Sequence, residues 1–331
     1  MSRSLNKCLI PVLVLSLLLV PFLFDRFYIQ FISKILVMII FASSLNLLVG
    51  YTGLVSLGHA AFFGFSGYVL ALLSNPDGPS NFFLSLTICI VATGCLGLII
   101  GALVLRTRGI FFIMATLAFG EMLFYLLHDT DFAGGSDGMY LDHRPSFQIL
   151  DYWQLDLSSV IHFYYVALVM MAISLFLIRT MLSSPYGRVI NGIRINEHRT
   201  TALGYNTYLF KLVNFTVAAM IASLAGFLAA AQFGVVNPEM VGWHLSVHVL
   251  MMVIFGGLGT LLGPILGAAS MMFLEEIFQV ITKHWQLMTG IVIVGVALFM
   301  PRGLAGIRFP SSADKQTNKE NHLSLRRELP R

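Results

Sequence analysis

Glu121 sits in the run TLAFGEMLFYLL and His59 in the run GLVSLGHAAFF. A carboxylate and an imidazole enclosed by apolar residues can relay protons or hydrogen-bond a polar solute. Inside a bilayer either group must face protein or a watery cavity rather than lipid. Two readings stay open for each. His59 contacts a solute or is satisfied by a neighbouring backbone carbonyl. Glu121 lines a pathway or holds a structural partner, with His128 or a helix backbone as candidates.

The sequence carries no nucleotide or bond chemistry of its own. It has no Gly-x-x-x-x-Gly-Lys-Ser/Thr phosphate loop, and no Gly-Lys dipeptide at all. His-Glu-x-x-His and paired cysteine motifs are also missing. Cys8, Cys89 and Cys95 lie in apolar segments with no metal or disulfide spacing. Clustered aspartates in DTDFAGGSDGMYLDHRPSF have oxygens that suit a cation, but their spacing is not that of an EF-hand loop. The chain reads as no enzyme and as holding no metal.

One stretch is unlike its surroundings. SPYGRVINGIRINEHRTTALGYN, beginning at Ser184, places Arg188, Arg194, Glu197, His198 and Arg199 within a helical pattern bounded by Pro185 and Gly204. Ile193, Ala202 and Leu203 give it an apolar side. Such a mixed segment is suited to docking on a partner, whereas an ordinary positive loop has no need of an internal glutamate.

The elements that must position these residues are membrane helices. Of 331 residues, 57% are hydrophobic and 11% charged, against about 25% charged in a soluble domain. Apolar runs such as CLIPVLVLSLLLVPFLF are continuous rather than alternating, so helices and not barrel strands are predicted. The fold class is all-α, a polytopic transmembrane bundle. Ten spans are predicted: 8–24, 27–49, 54–73, 82–105, 109–127, 159–178, 211–233, 241–257, 262–281 and 285–301. No small-x-small cleavage site precedes Asp25 and Arg26, so the first is read as a retained helix.

Basic residues fall at Arg3 and Lys7, at Arg106 and Arg108, throughout 179–211 and in the tail, while 74–81 and 234–240 have neither Lys nor Arg. The loop 128–158 has six Asp and only Arg144. This alternation places both termini and the charged loop, about 179–210, in the cytoplasm and 128–158 outside. The transmembrane domain covers 1–301, and 302–331 is a basic cytoplasmic tail with the composition of a disordered segment. The net charge of +4 gathers in these connections and does not point to nucleic acid.

Two segments carry unusual glycine. In 46–73, Gly50, Gly53, Gly58, Gly64 and Gly67 accompany Asn46, Ser56 and His59. FGGLGTLLGPILG holds Gly256, Gly257 and Gly259 ahead of Pro264. Broken helices of this kind line transport pathways or act as hinges, and tight packing of small residues is the competing reading. Gly53, Ser56, Gly58, His59, Glu121, Gly256, Gly257 and Gly259 are therefore the candidate pathway or hinge residues.

GYTGLVSLGHAAFFGFSGY, RTRGIFFIMATLAFGEML, GGSDGM, the charged stretch and FGGLGTLLGP occur in an order that resembles permease subunits of bacterial ABC importers for branched-chain amino acids, M-type in particular. The resemblance runs from about 36 to 304. It implies that Tyr186, Gly187, Arg188, Arg194, Glu197, Ala202, Leu203 and Gly204 form the element that couples to ATPase subunits. It also implies a second homologous permease, two ABC ATPases that carry ATP and Mg, a periplasmic solute-binding protein, and the bacterial inner membrane as the location. No cofactor is implied on this chain. Urea-type permeases share the Ser-Leu-Gly-His block, and Leu54 stands where the amino-acid branch often has Gln, so a urea or short-amide permease is the alternative. A stand-alone proton-coupled carrier built on Glu121 is a third class.

Overall fold

The computed structural model describes residues 20–21, 24–74, 78–149, 153–300 and 303–306. The main helices are α1 (Arg26–Thr52), α2 (Ala60–Leu73), α3 (Phe82–Val104), α4 (Ile110–His128), α5 (Val160–Ser183), α6 (Pro185–Ile195), α7 (Glu197–Ala202), α8 (Thr207–Phe233), α9 (Trp243–Gly256), α10 (Gly263–Ile281) and α11 (Trp285–Phe299). Nine of the ten predicted spans fall on these helices, and 8–24 lies almost wholly outside the described residues. Among the described residues seven helices are long and apolar enough to cross a membrane, and α2 and α11 are shorter. The chain is a multi-pass, all-α membrane protein.

The core follows from composition. A helix that is apolar all round must be buried all round or face lipid. α1 and α8 take the first course: 89% and 72% of their most apolar windows are buried. The sequence AAMIASLAGFLAAA in α8 is built from small residues that admit close backbone approach. At Gly226 a methyl group would lie 2.7 Å from the Phe63 carbonyl carbon, so α2 and α8 touch backbone to backbone. Gly94, Gly97 and Gly101 of α3 turn one face onto Met220, Ala219 and Phe215 of α8. α4 takes the second course: only Phe112, Thr116 and Gly120 are buried, on one stripe, and Ile110, Phe111, Met114, Met122, Tyr125 and Leu126 are exposed.

Connections sort to two ends. At one end, β1 (Met139–Tyr140) pairs antiparallel with β4 (Val235–Val236), and β2 (Ser146–Ile149) with β3 (Trp153–Asp156). Ser74 Oγ donates to His143 O at 3.2 Å, and Arg144 donates to Gln232 O at 3.1 Å. The acidic loop is thus folded onto the connections that lack Lys and Arg. Its short strands were not anticipated, because the turn-rich composition gave no alternating run long enough to read. At the opposite end gather residues 105–109, the charged stretch and the break after α9. The alternation of basic and non-basic connections in the sequence is therefore an alternation of ends in space.

Candidate functional site

The segment predicted as the first part of span 54–73 is not helical. Gly53, at φ 77°, ends α1 in the left-handed region, and α2 starts only at Ala60. Backbone without helical partners at this depth must find others. Leu57 N donates to Thr116 Oγ1 at 3.3 Å, and Ala60 N to Ser246 Oγ at 2.8 Å. His59 is fully buried, with Nε2 2.9 Å from Ser44 Oγ and its ring stacked on Phe41. That contact joins the break to α1 and favours the packing role for His59, with a serine hydroxyl as partner instead of a carbonyl. Ser56 is buried beside it. Gly58 lies against the Thr116 backbone and Gly120.

The second break, 257–262, lies at the end that holds the charged stretch. Gly257 and Gly259 have φ of 116° and 72°, conformations that favour glycine. Gly256 is packed against Gly263 and Gly267 across the α9–α10 turn, where a methyl would lie 2.6 Å from the Gly263 carbonyl carbon. Asn46, in α1, holds the break at two points: its Nδ2 donates to Thr260 O at 2.9 Å and its Oδ1 accepts from Gly259 N at 3.0 Å. Thr260 Oγ1 closes the turn, donating to Gly257 O and accepting from Gly263 N, both at 3.0 Å. The sequence marked Asn46 as polar but gave no sign of its partner 213 residues away.

The charged stretch is two helices, not one, because Asn196 takes an extended conformation between α6 and α7. Its side chain accepts from Arg199 N at 3.0 Å and caps α7. Gly204, at φ 90°, follows the end of α7 as predicted. One face of α6 is internal: Gly187, Ile190 and Ile193 are buried at helical spacing. Ile193 thus faces the bundle and is not part of an outward apolar surface. Tyr186 is internal too. Its hydroxyl donates to Phe210 O at 2.9 Å and its ring stacks on Phe210, while burial raises its phenol above the usual value.

Two of the charges, exposed Arg194 and partly buried Glu197, are held by partners within the chain. Arg194 donates to Gly50 O near the end of α1. Glu197 binds Lys211 Nζ at 2.6 Å and accepts from Thr207 Oγ1 at 3.2 Å. Burial alone would raise the Glu197 carboxyl. The Lys211 contact, with Thr207 and Arg108, outweighs that and holds it below the ordinary glutamate value. A cavity of about 450 Å³ lies here, lined by Gly53, Arg108, Arg194, Glu197 and Lys211 among others. Arg188, His198, Arg199, Ala202, Leu203 and Gly204 stay exposed, joined by Ile195, which the sequence reading passed over. Ile195 and Leu203 are 85% and 71% exposed, apolar side chains without cover.

Glu121 lies near the other end, in a cavity of about 660 Å³ with Tyr125, Glu239, Trp243, His244 and His248. Its Oε1 accepts from Trp243 N at 3.3 Å, so it caps α9 from a neighbouring helix. Of the two partners anticipated, a helix backbone is the one found, and His128 instead contacts Asp129 at 2.8 Å. Glu275, which the sequence gave no role, binds His248 at 2.6 Å. Among the described residues no three His, Cys, Asp or Glu side chains are grouped to hold a metal.

Comparison with known proteins agrees with this architecture. Residues 27–297 match the family described as branched-chain amino acid transport system / permease component. The chain is 32% identical over 309 residues to the high-affinity branched-chain amino acid transport system permease protein LivM of Escherichia coli K12, and 31% identical over the same length to LivM of Salmonella typhimurium LT2. Each match covers 88% of this chain and 72% of the relative. Escherichia coli LivH, a permease protein of the same kind of system, is 25% identical over 37% of this chain and 40% of its own length. No solved structure matches the chain. This chain belongs to the family of permease components of branched-chain amino acid transport systems.

Proposed function

We propose that this chain is one membrane-spanning subunit of an ATP-binding-cassette importer that carries leucine, isoleucine and valine across the bacterial inner membrane. A second homologous permease completes the pathway, a periplasmic binding protein delivers the amino acid, and two ATPase subunits supply ATP and Mg. The protein itself catalyses no bond chemistry. Its coupling element is 186–204, and the break at Gly256, Gly257 and Gly259 is the hinge. Glu121 lies at the outer mouth of the pathway, because a carboxylate on a helix with only 17% of its apolar window buried requires protein or water beside it.

The observation that carries the reading is the uncovered pair Ile195 and Leu203 among Arg188, His198 and Arg199, at the end where basic connections gather. In lipid such a basic rim would be costly, and in water so exposed an apolar pair is a contact surface awaiting a partner. The test is a double variant, Ile195→Asp with Leu203→Asp. The expected result is loss of co-purifying ATPase subunits and of leucine uptake, with the helical content intact. Retention of both would overturn the docking assignment. Uptake that urea competes for and leucine does not would overturn the substrate class.

A further inference from the structure

We infer that Arg194 is the fastener that carries displacement of α6 to the glycine break between α9 and α10, and is not a contact for a partner. The inference rests on the reading that α6 and α7 receive the ATPases, and it adds how their motion reaches the bundle.

α1 ends with carbonyls that have no helical donors, and it has no basic residue in its own last turn. Arg194, in the last turn of α6, supplies the missing cation by donating to Gly50 O. Gly259 lies between the two. A methyl group on Gly259 would be 2.7 Å from Arg194 Nη1 and 2.8 Å from Gly50 O, and one on Gly50 would be 2.5 Å from Gly259 N. The Arg194 side chain, the end of α1 and the break thus meet at one point, beside the Asn46 amide. One turn earlier on α1, Asn46 grips Gly259 and Thr260. A shift of α6 therefore acts on the end of α1 and on the break at the same point. The break is where the backbone can respond, because 257–262 lies outside both helices and two of its glycines hold positive φ. Arg194 is exposed, yet one arm of its guanidinium is already committed to a carbonyl of the same chain.

The test compares Arg194→Met, which keeps length but removes the donors, with Arg194→Lys, which keeps one donor and the charge. In the permease alone, hydrogen exchange at the Gly259 amide is expected to rise about tenfold or more in Arg194→Met. In the complete transporter, Arg194→Met is expected to retain its ATPase subunits while leucine uptake falls about ten- to a hundredfold. Arg194→Lys is expected to restore most of both. Unchanged exchange at Gly259 would overturn the fastener. Raised exchange with normal uptake would overturn the relay. Loss of the ATPase subunits in Arg194→Met would make Arg194 a partner contact and overturn the inference outright. Failure of the wild-type chain to retain ATPases would sink the proposed function, and the exchange measurement on this chain alone would still decide the fastener.

Discussion

Gly58→Ala tests whether the Ser-Leu-Gly-His segment is there for packing. A methyl group at Gly58 would lie 2.8 Å from the Thr116 carbonyl carbon and closer still to its oxygen. Carbon atoms rest at about 3.5–4.0 Å, so the two backbones must part by about an ångström. The obstacle is backbone, and no side-chain rotation relieves it. Overpacking of this kind costs about 1–3 kcal/mol. Parting also breaks the bond from Leu57 N to Thr116 Oγ1, worth about 1 kcal/mol. The expected loss is about 2–4 kcal/mol, a large share of a typical total of about 5–15 kcal/mol. Reversible unfolding by SDS titration in mixed micelles measures it. Gly290→Ala is the control: it lies within α11 with nothing within 4 Å, so it is expected to be neutral or stabilising by up to about 1 kcal/mol. A Gly58→Ala variant within about 0.5 kcal/mol of wild type would refute the close-packing argument.

Other consequences follow from the same geometry. Asn214→Leu removes a buried amide that donates to Leu47 O and Thr52 Oγ1, and the same titration should show a loss of about 1–3 kcal/mol. Glu197 has a folded pKa below its unfolded value, so its contribution is full above the ordinary carboxylate range and is lost as pH falls through the depressed value. Hydrogen exchange around Thr207 should therefore rise as pH falls below the ordinary glutamate range, and Glu197→Gln should abolish that acid step. Gly257→Leu forces a side chain into φ 116°, and is expected to stop leucine uptake while the subunits still co-purify; unchanged uptake would remove the hinge. Alkylation of Leu203→Cys should be blocked in one nucleotide state and open in the other, and equal protection in both would count against the docking assignment.

Spans and their alternation were legible because they rest on local signals: continuous apolar runs and the placement of Lys and Arg. The breaks were legible too, since clustered glycine with one proline resists helix continuation, and both appear at Gly53–His59 and Gly257–Leu262. What escaped was pairing across long separations. A helix backbone was one candidate partner for Glu121, but nothing near it in sequence points to Trp243 N in particular, and the other candidate, His128, faces Asp129. Arg194 and Glu197 read as surface charges because helical periodicity cannot show a carbonyl of α1 or a lysine on α8 waiting beside them. Ile195 was passed over for the opposite reason: an isoleucine is assumed to turn inward, yet two residues past the buried Ile193 it falls on the far face of α6.

These placements bear on how a separate engine can move the bundle. Shifting a two-state equilibrium from 1:99 to 99:1 takes about 5.5 kcal/mol of differential contact. Complete burial of one large aliphatic side chain contributes about 1.5–3 kcal/mol, so Ile195 and Leu203 together supply about 3–6 kcal/mol. The exposed arginines at the rim add no more than about 1 kcal/mol each. The surface is just large enough, provided it is covered in one state and uncovered in the other, because contact kept equally in both shifts nothing. Under the proposed docking, that requirement accounts for the division of the charged stretch. Side chains that hold α6 and α7 to the bundle must keep their grip through the cycle, and Tyr186, Arg194 and Glu197 are spent on partners within the chain. Side chains that read the state of a partner must be free to gain and lose cover, and Ile195 and Leu203 have none of their own.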